Sequence, residues 1–173
     1  NNALNYGGHL SAQPYGALFN FAEENIVNFP KNEHNPYKMD AEKMIALVDK
    51  HRPAIIVFGK SMFLHPEPIR ELRAFLSSTP SYLPLVMYDA AHVMGILGSQ
   101  FQDPLAEGAE VVTGSTHKTF WGPQRGIIAS KMPEGAPFRK LWTEIVARTF
   151  PGSTSNHHLG TQLAMLAATI EMN

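Results

Sequence analysis

Lys118 is the residue of this sequence whose surroundings point most directly to chemistry. It lies in the segment VVTGSTHKTFWGP, directly after His117. A lysine amine that bonds covalently to a carbonyl group must be partly withdrawn from water, and a loop at the end of a strand can provide such a place. The hydroxyls of Ser115 and Thr116 suit a phosphate group or another polar edge of a cofactor. Taken alone, a lysine in such a loop is more often a solvated surface residue.

Asp89, in the segment YDAAHVMG, is the second candidate. A carboxylate at the end of a buried strand is costly unless it meets a cation. The protonated pyridine nitrogen of pyridoxal 5′-phosphate (PLP) is such a cation, and the pairing makes this cofactor an electron sink. The alternative is structural: Asp89 would cap the following turn, and His92 would be a surface histidine. For Asp89 considered singly, the structural interpretation is the commoner one.

Short β-branched runs alternate with helical patterns along the chain, which predicts an α/β fold with a mainly parallel sheet. The run at residues 54–59 is continuously apolar, as expected of a strand buried on both faces. Leu163, Leu166 and Ile170 are predicted to face the core. The predicted strands are residues 25–29, 54–59, 83–89, 110–113 and 125–130. The predicted helices start at Asp40, follow Pro66 and Pro68, and cover 136–149 and 156–172.

The predicted strands bring three polar side chains to one edge of the sheet. Ser61, Asp89 and Lys118 each follow or end a predicted strand, although the loop before Lys118 is expected to begin already after residue 113. Because ligands of open α/β sheets bind outside the carboxyl ends of the strands, the three side chains are expected to converge on one pocket.

Composition narrows the possible classes of partner. The chain has 173 residues, a formal charge of -1 and no cysteine, so nucleic acid, anionic membrane and disulfides are not expected. No stretch is apolar enough to span a membrane, and no signal peptide is evident, which predicts a cytoplasmic protein. His157 and His158 are adjacent and have no partners at metal-ligand spacing, so no metal site is predicted.

Four motifs of the chain resemble the large domain of the serine hydroxymethyltransferase family in order and approximate spacing. They are GGHL, DAAHVMG, STHKTFWGP and FPG. The resemblance implies a three-layer α/β sandwich of the aspartate-aminotransferase-like PLP transferase type, here incomplete. Residues 1–173 would form part of the PLP-binding large domain, without the family's N-terminal segment and small C-terminal domain.

The same resemblance implies a role for each matching residue, with PLP as cofactor and tetrahydrofolate as co-substrate. Lys118 would be the Schiff-base lysine and Asp89 would bind the pyridine nitrogen. The further implied contacts are His9 stacked on the cofactor ring, Ser61 and His92 near its phenolic oxygen, His117 as a second catalytic residue near the phosphate with Ser115 and Thr116, and Leu4, Gly8 and Arg125 toward substrate or folate. The chain departs from the family pattern at Gly114 and Gln124, and in the segment that follows FPG.

Three hypotheses for function follow. The first is a fragment of an enzyme that transfers a one-carbon or aldehyde unit on a small amino acid substrate, not active alone. The second is a close relative with threonine aldolase or transaldolase chemistry. The third is a catalytically inert α/β assembly module or gene remnant. An incomplete sheet leaves open edges that another chain must cover, which predicts a homo-oligomer.

Overall fold

The computed structural model describes residues 1–9 and 25–172. Within them, four strands form one open sheet in the order β1-β2-β3-β4. The first three strands run parallel, and β4 is antiparallel to β3. The predicted α/β fold with a mainly parallel sheet is confirmed. The strands are β1 (Ile55–Phe58), β2 (Leu85–Asp89), β3 (Val111–His117) and β4 (Trp121–Ala129).

Within the same residues, five α-helices accompany the sheet. The first begins as predicted, because the Asp40 carboxylate accepts a hydrogen bond from the Lys43 amide (3.1 Å) and so caps the helix. The second follows Pro68, also as predicted. The helices are α1 (Ala41–His51), α2 (Ile69–Ser77), α3 (Pro104–Glu107), α4 (Arg139–Ala147) and α5 (Leu159–Met172).

The core lies on one face of the sheet. Side chains alternate between faces along a strand, and one set of alternate positions in β1 and β2 packs with residues of α1 and α2. The opposite face is less covered, since Ile55 is 50% exposed. The prediction that β1 is buried on both faces is therefore wrong, because the face that carries Ile55 is incompletely covered by the described residues. The buried set includes Ile56, Phe58, Val86, Tyr88, Met44 and Leu72.

Strand β3 is longer than the sequence pattern predicts. It continues through His117, and only three residues separate it from β4, so the two strands form a tight hairpin. The predicted loop after residue 113 is wrong because Gly114 and Ser115 pair with Ile127 and Gly126 of β4. Lys118 consequently belongs to a short hairpin connection.

Helix α5 does not bury the residues predicted to face the core. Leu163, Leu166 and Ile170 are 65%, 57% and 66% exposed. The helix packs near β4 through another side, where Ala168 is buried. The prediction is wrong because α5 is apolar on more than one side, so its own periodicity does not determine which side is buried.

Residues 25–29 do not form the predicted strand. The segment is irregular apart from one helical position at Asn25, and the nearby bridge joins Lys31 to Met39. The Phe29 amide donates to the Asn1 carbonyl (2.7 Å), which joins the segment to the start of the chain. A strand requires a paired ladder, and among the described residues this segment has none.

Candidate active site

Lys118 lies in the hairpin connection between β3 and β4. The connection is fixed at its base, because His117 pairs with Trp121 after a register shift in the ladder. The Lys118 amine lies 2.9 Å from Nε2 of His92, within hydrogen-bonding distance. Lys118 itself is exposed, so the expected partial withdrawal from water is absent among the described residues.

Asp89 ends β2 and uses its two carboxylate oxygens differently. Oδ1 accepts a hydrogen bond from the Ala91 amide (3.0 Å), as the turn-capping alternative predicts. Oδ2 lies 3.6 Å from Nε2 of His9, close enough for an electrostatic contact although too long for a hydrogen bond. The Asp89 side chain is 22% exposed. The carboxylate therefore combines a local structural role with an open side that faces the histidine.

His9 reaches Asp89 from a turn near the start of the chain. The 3₁₀ turn Leu4–Tyr6 ends at Gly7, whose φ of 85° lies in the left-handed region that favours glycine. The amides of Ser61 and Met62 both donate to the Gly7 carbonyl (2.7 and 3.1 Å). Oγ of Ser61 also lies 3.1 Å from Nδ1 of His9. Main-chain and side-chain contacts thus fasten this turn to the loop that follows β1.

His92 lies between His9 and Lys118 and contacts both. Its ring centroid lies 5.3 Å from that of His9, at an interplanar angle of 36°. Burial lowers the pKa of His92 below its ordinary value, and the charges of Lys118 and His9 lower it further, whereas Asp89 raises it. His92 is therefore mainly neutral at neutral pH, and its Nε2 can accept a hydrogen bond from the Lys118 ammonium group.

The structure brings five of the predicted site residues into one cluster. Contacts run from Ser61 to His9, from His9 to Asp89 and to His92, and from His92 to Lys118. Four of them lie at or beyond the carboxyl ends of β1, β2 and β3, and the N-terminal turn adds His9. This cluster of an amine, a carboxylate, two imidazoles and a hydroxyl is hereafter called the strand-end cluster.

The residues predicted for a phosphate site have other positions. Thr116 is fully buried, and its hydroxyl bonds the main chain of Pro123 and Arg125 across the hairpin. Ser115 is half-buried within β3, and His117 is exposed at the hairpin tip. None of the three has a described contact with the strand-end cluster.

Of the residues predicted for substrate or folate, only Gly8 adjoins the cluster, because it directly precedes His9. Leu4 is 45% exposed on the 3₁₀ turn, and Gly8 is buried against the carbonyls of Asn2 and Ala3. Arg125 is exposed on β4, where its guanidinium group donates to Thr161 of α5 (3.3 Å). Their predicted roles remain predictions.

A buried ion pair beside the cluster was not predicted from the sequence. Lys60 and Glu67 form an ion pair of 3.1 Å whose side chains are 3% and 0% exposed. Gly59 has a φ of 131°, and a Cβ there would lie 2.4 Å from the Asp89 carbonyl oxygen. The available signal was a lysine directly after a buried strand, which by itself more often indicates a solvated side chain.

The described residues contain neither a candidate metal site nor a membrane-spanning helix. No group of three or more His, Asp or Glu side chains in residues 1–9 and 25–172 could hold a metal ion. No helix within the same ranges is long and apolar enough to cross a membrane.

Comparison with known proteins decides the family. The family model described as serine hydroxymethyltransferase matches residues 3–170. The chain belongs to the serine hydroxymethyltransferase family. The resemblance that its sequence motifs indicated is thereby confirmed.

Curated relatives support the same assignment. A serine hydroxymethyltransferase of Archaeoglobus fulgidus is 38% identical over 96% of the chain. Those of Thermococcus gammatolerans and Thermococcus kodakarensis are 41% and 42% identical, also over 96%. The chain spans only 35%, 38% and 37% of these relatives' lengths, respectively. It therefore corresponds to a part of a serine hydroxymethyltransferase-like protein, as predicted.

Proposed function

We propose that this chain carries the cofactor-anchoring part of a PLP-dependent enzyme that transfers a one-carbon or aldehyde unit on an amino acid substrate. The observation that carries the proposal is the strand-end cluster, in which the Lys118 amine contacts His92 and the Asp89 carboxylate faces His9. A primary amine and a carboxylate at neighbouring strand ends suit the aldehyde and the ring nitrogen of PLP.

The residue types of the cluster fit PLP. When bound, PLP supplies an electron sink for negative charge that develops on the amino acid substrate. Lys118 would provide the amine that anchors the cofactor aldehyde, and Asp89 would keep the ring nitrogen protonated. His9 would cover the flat face of the ring, since its imidazole already lies beside the carboxylate. Ser61 and His92 would bind the phenolic oxygen.

The proposal extends to the amino acid substrate and to the acceptor of the one-carbon unit. Residues 1–173 would form part of a large domain, with tetrahydrofolate as the one-carbon acceptor and Leu4, Gly8 and Arg125 toward substrate or folate. His117, Ser115 and Thr116 would approach the cofactor phosphate only after the hairpin tip rearranges, because the Thr116 hydroxyl is engaged across the hairpin. We therefore expect cofactor binding, without turnover, from this chain alone.

We further propose that the chain forms a homo-oligomer and works in the cytoplasm. Lys118 is exposed at the hairpin, and α5 carries exposed apolar side chains. A second chain packed against this region would bury the apolar face and withdraw Lys118 from water. The lack of cysteine is in keeping with a reducing compartment.

Titration of the chain with PLP tests the proposal. Wild type is expected to develop a saturable absorbance change at one equivalent of PLP. Borohydride reduction should then place a stable adduct on the peptide that contains Lys118. Lys118→Ala should lose both signals, and Asp89→Asn should weaken binding because the pyridinium loses its counter-charge. Lys50→Ala, at an exposed position of α1, is the matched control and should behave as wild type.

The contrary outcome favours the inert assembly module. PLP reacts weakly with many surface lysines, so scattered adducts of similar yield in wild type and Lys118→Ala would contradict a cofactor site. Peptide mapping after reduction separates this outcome from specific modification of Lys118.

A further inference from the structure

The loop that carries Ser61 rests on a buried ion pair. Lys60 lies between Gly59 and Ser61, and its ammonium group is 3.1 Å from Oε1 of Glu67. It also donates to the carbonyl of Tyr37 (2.9 Å). Both side chains are almost completely inaccessible to water. Lysine and glutamate are rarely buried to this extent, so the pair requires an explanation.

Glu67 is in turn fixed to strand β2. Its main-chain amide donates to Oε1 of Gln102 (3.0 Å), and Nε2 of Gln102 donates to its carbonyl (2.7 Å). The hydroxyl of Tyr88 donates to the same Oε1 (3.1 Å). Because Tyr88 precedes Asp89, the ion pair is coupled to the strand that carries the cluster's carboxylate.

Stability alone does not account for this pair. Burial raises the pKa of Glu67 although Lys60 lowers it, and its Oε2 has no hydrogen-bond partner among the described residues. Two apolar side chains of similar volume are often as stabilising as a buried ion pair, or more so. A charged pair does fix the geometry of the residues that carry it, because the ammonium and carboxylate groups hold each other in position.

We propose that Lys60 and Glu67 are positioning residues for the strand-end cluster. They hold the loop of residues 59–62, whose amides at Ser61 and Met62 bind the Gly7 carbonyl. The loop then holds the turn that presents His9 to Asp89. The inference deepens the proposed function, on which its consequence for PLP depends, and its structural part can be tested without the cofactor.

Replacement of the whole pair by apolar residues provides the test. The double variant Lys60→Met, Glu67→Leu removes both charges of the ion pair together. Its melting temperature is expected to match or exceed that of wild type. The matched control is Lys43→Met, Glu33→Leu, which removes an exposed ion pair far along the sequence from the loop.

Amide hydrogen exchange of the 173-residue chain is the main measurement. The Ser61 and Met62 amides should exchange faster in the double variant by about tenfold or more, while the amides of β2 keep their protection. A pair that only stabilises the fold would change all of these amides together through global unfolding. Unchanged exchange at Ser61 and Met62 in a folded variant would overturn the inference.

A second variant and a PLP titration complete the test. If the double variant does not fold, Lys60→Met, Glu67→Gln replaces it, because glutamine preserves the shape of glutamate. PLP titration should also show about tenfold weaker binding in the variant than in wild type, or about 1.4 kcal/mol. If wild type itself does not bind PLP, the proposed function fails, but the exchange result still decides whether the pair positions the loop.

Discussion

The protonation state of His92 determines how the Lys118 amine is held. A neutral imidazole accepts a hydrogen bond from an ammonium group, whereas an imidazolium has no acceptor and repels it. Burial is the largest cause that lowers the pKa of His92, followed by the charges of Lys118 and His9. The contact between Lys118 and His92 is therefore expected above the lowered pKa and not below it.

This lowered pKa predicts a pH dependence of stability. Below the ordinary value of 6.5, the unfolded chain protonates His92 while the folded chain does so only at lower pH. The contribution of His92 to stability is thus complete above pH 6.5 and is lost as pH falls through the lowered pKa. Urea denaturation at pH 7.5 and 5.5 should show a smaller decrease in midpoint for His92→Gln than for wild type.

His158→Gln provides the control for this measurement. His158 is exposed, so its replacement should leave the difference between the two midpoints as in wild type. An equal pH dependence in wild type and His92→Gln would contradict the assignment of a lowered pKa to His92.

At the scale of elements, the junction between the end of β1 and the end of β2 is very tight. Gly59 has a φ of 131°, and a Cβ at this position would meet the Asp89 carbonyl oxygen at 2.4 Å and its Cβ at 2.9 Å. The main chain of the loop can approach the carboxylate residue only because residue 59 has no side chain.

Gly59→Ala is therefore expected to be strongly destabilising. The unfavourable φ and the overlap with Asp89 should together lower the free energy of unfolding by about 2–4 kcal/mol. Gly135→Ala is the control, because Gly135 has a φ of 80° but no atom within 4 Å of the added Cβ. It should cost about 1 kcal/mol. Similar denaturation midpoints for the two variants would contradict a steric role for Gly59.

The sequence predicted elements well where the signal lies within the element. Helix α1 has a capping aspartate and β2 has a continuous apolar run, so both were located correctly. The extension of β3 and the irregular course of residues 25–29 depend on which segments pair. Pairing is a property of two segments, and no pattern within either one fixes it.

At the scale of the molecule, the apolar side of α5 predicts self-association. Leu159, Leu163, Leu166 and Ile170 recur at helical spacing and are all exposed. Light scattering after size-exclusion chromatography should show a species larger than the monomer. The variant Leu163→Lys, Leu166→Lys should shift it toward monomer, since charge on this side opposes burial.

The control for this experiment is Ala164→Lys, which adds charge at an exposed position on another side of α5 from the apolar row. It should leave the oligomer unchanged. Wild type that is monomeric at all concentrations would contradict both this prediction and the proposed homo-oligomer.

The candidate site could be predicted only in part. Asp89 and Lys118 follow strands, so the rule for open α/β sheets placed them at one edge. His9 is 52 residues from Ser61 in sequence, and its role was implied only by the family resemblance. The burial of Lys60 and Glu67 depends on the packing of three separate segments, which the local sequence does not encode.

Strands β2 and β3 end at different points along the sheet. Strand β2 ends at Asp89, opposite Thr113, while β3 continues for four residues to His117. Lys118 follows this overhang, and its amine reaches His92 in the segment after β2 (2.9 Å). A deletion of two residues would keep the alternation of faces but remove about 7 Å of that reach. We therefore expect related proteins that keep both the Asp89 carboxylate and the Lys118 amine to differ in length at exposed connections. They should not differ in length within residues 114–117.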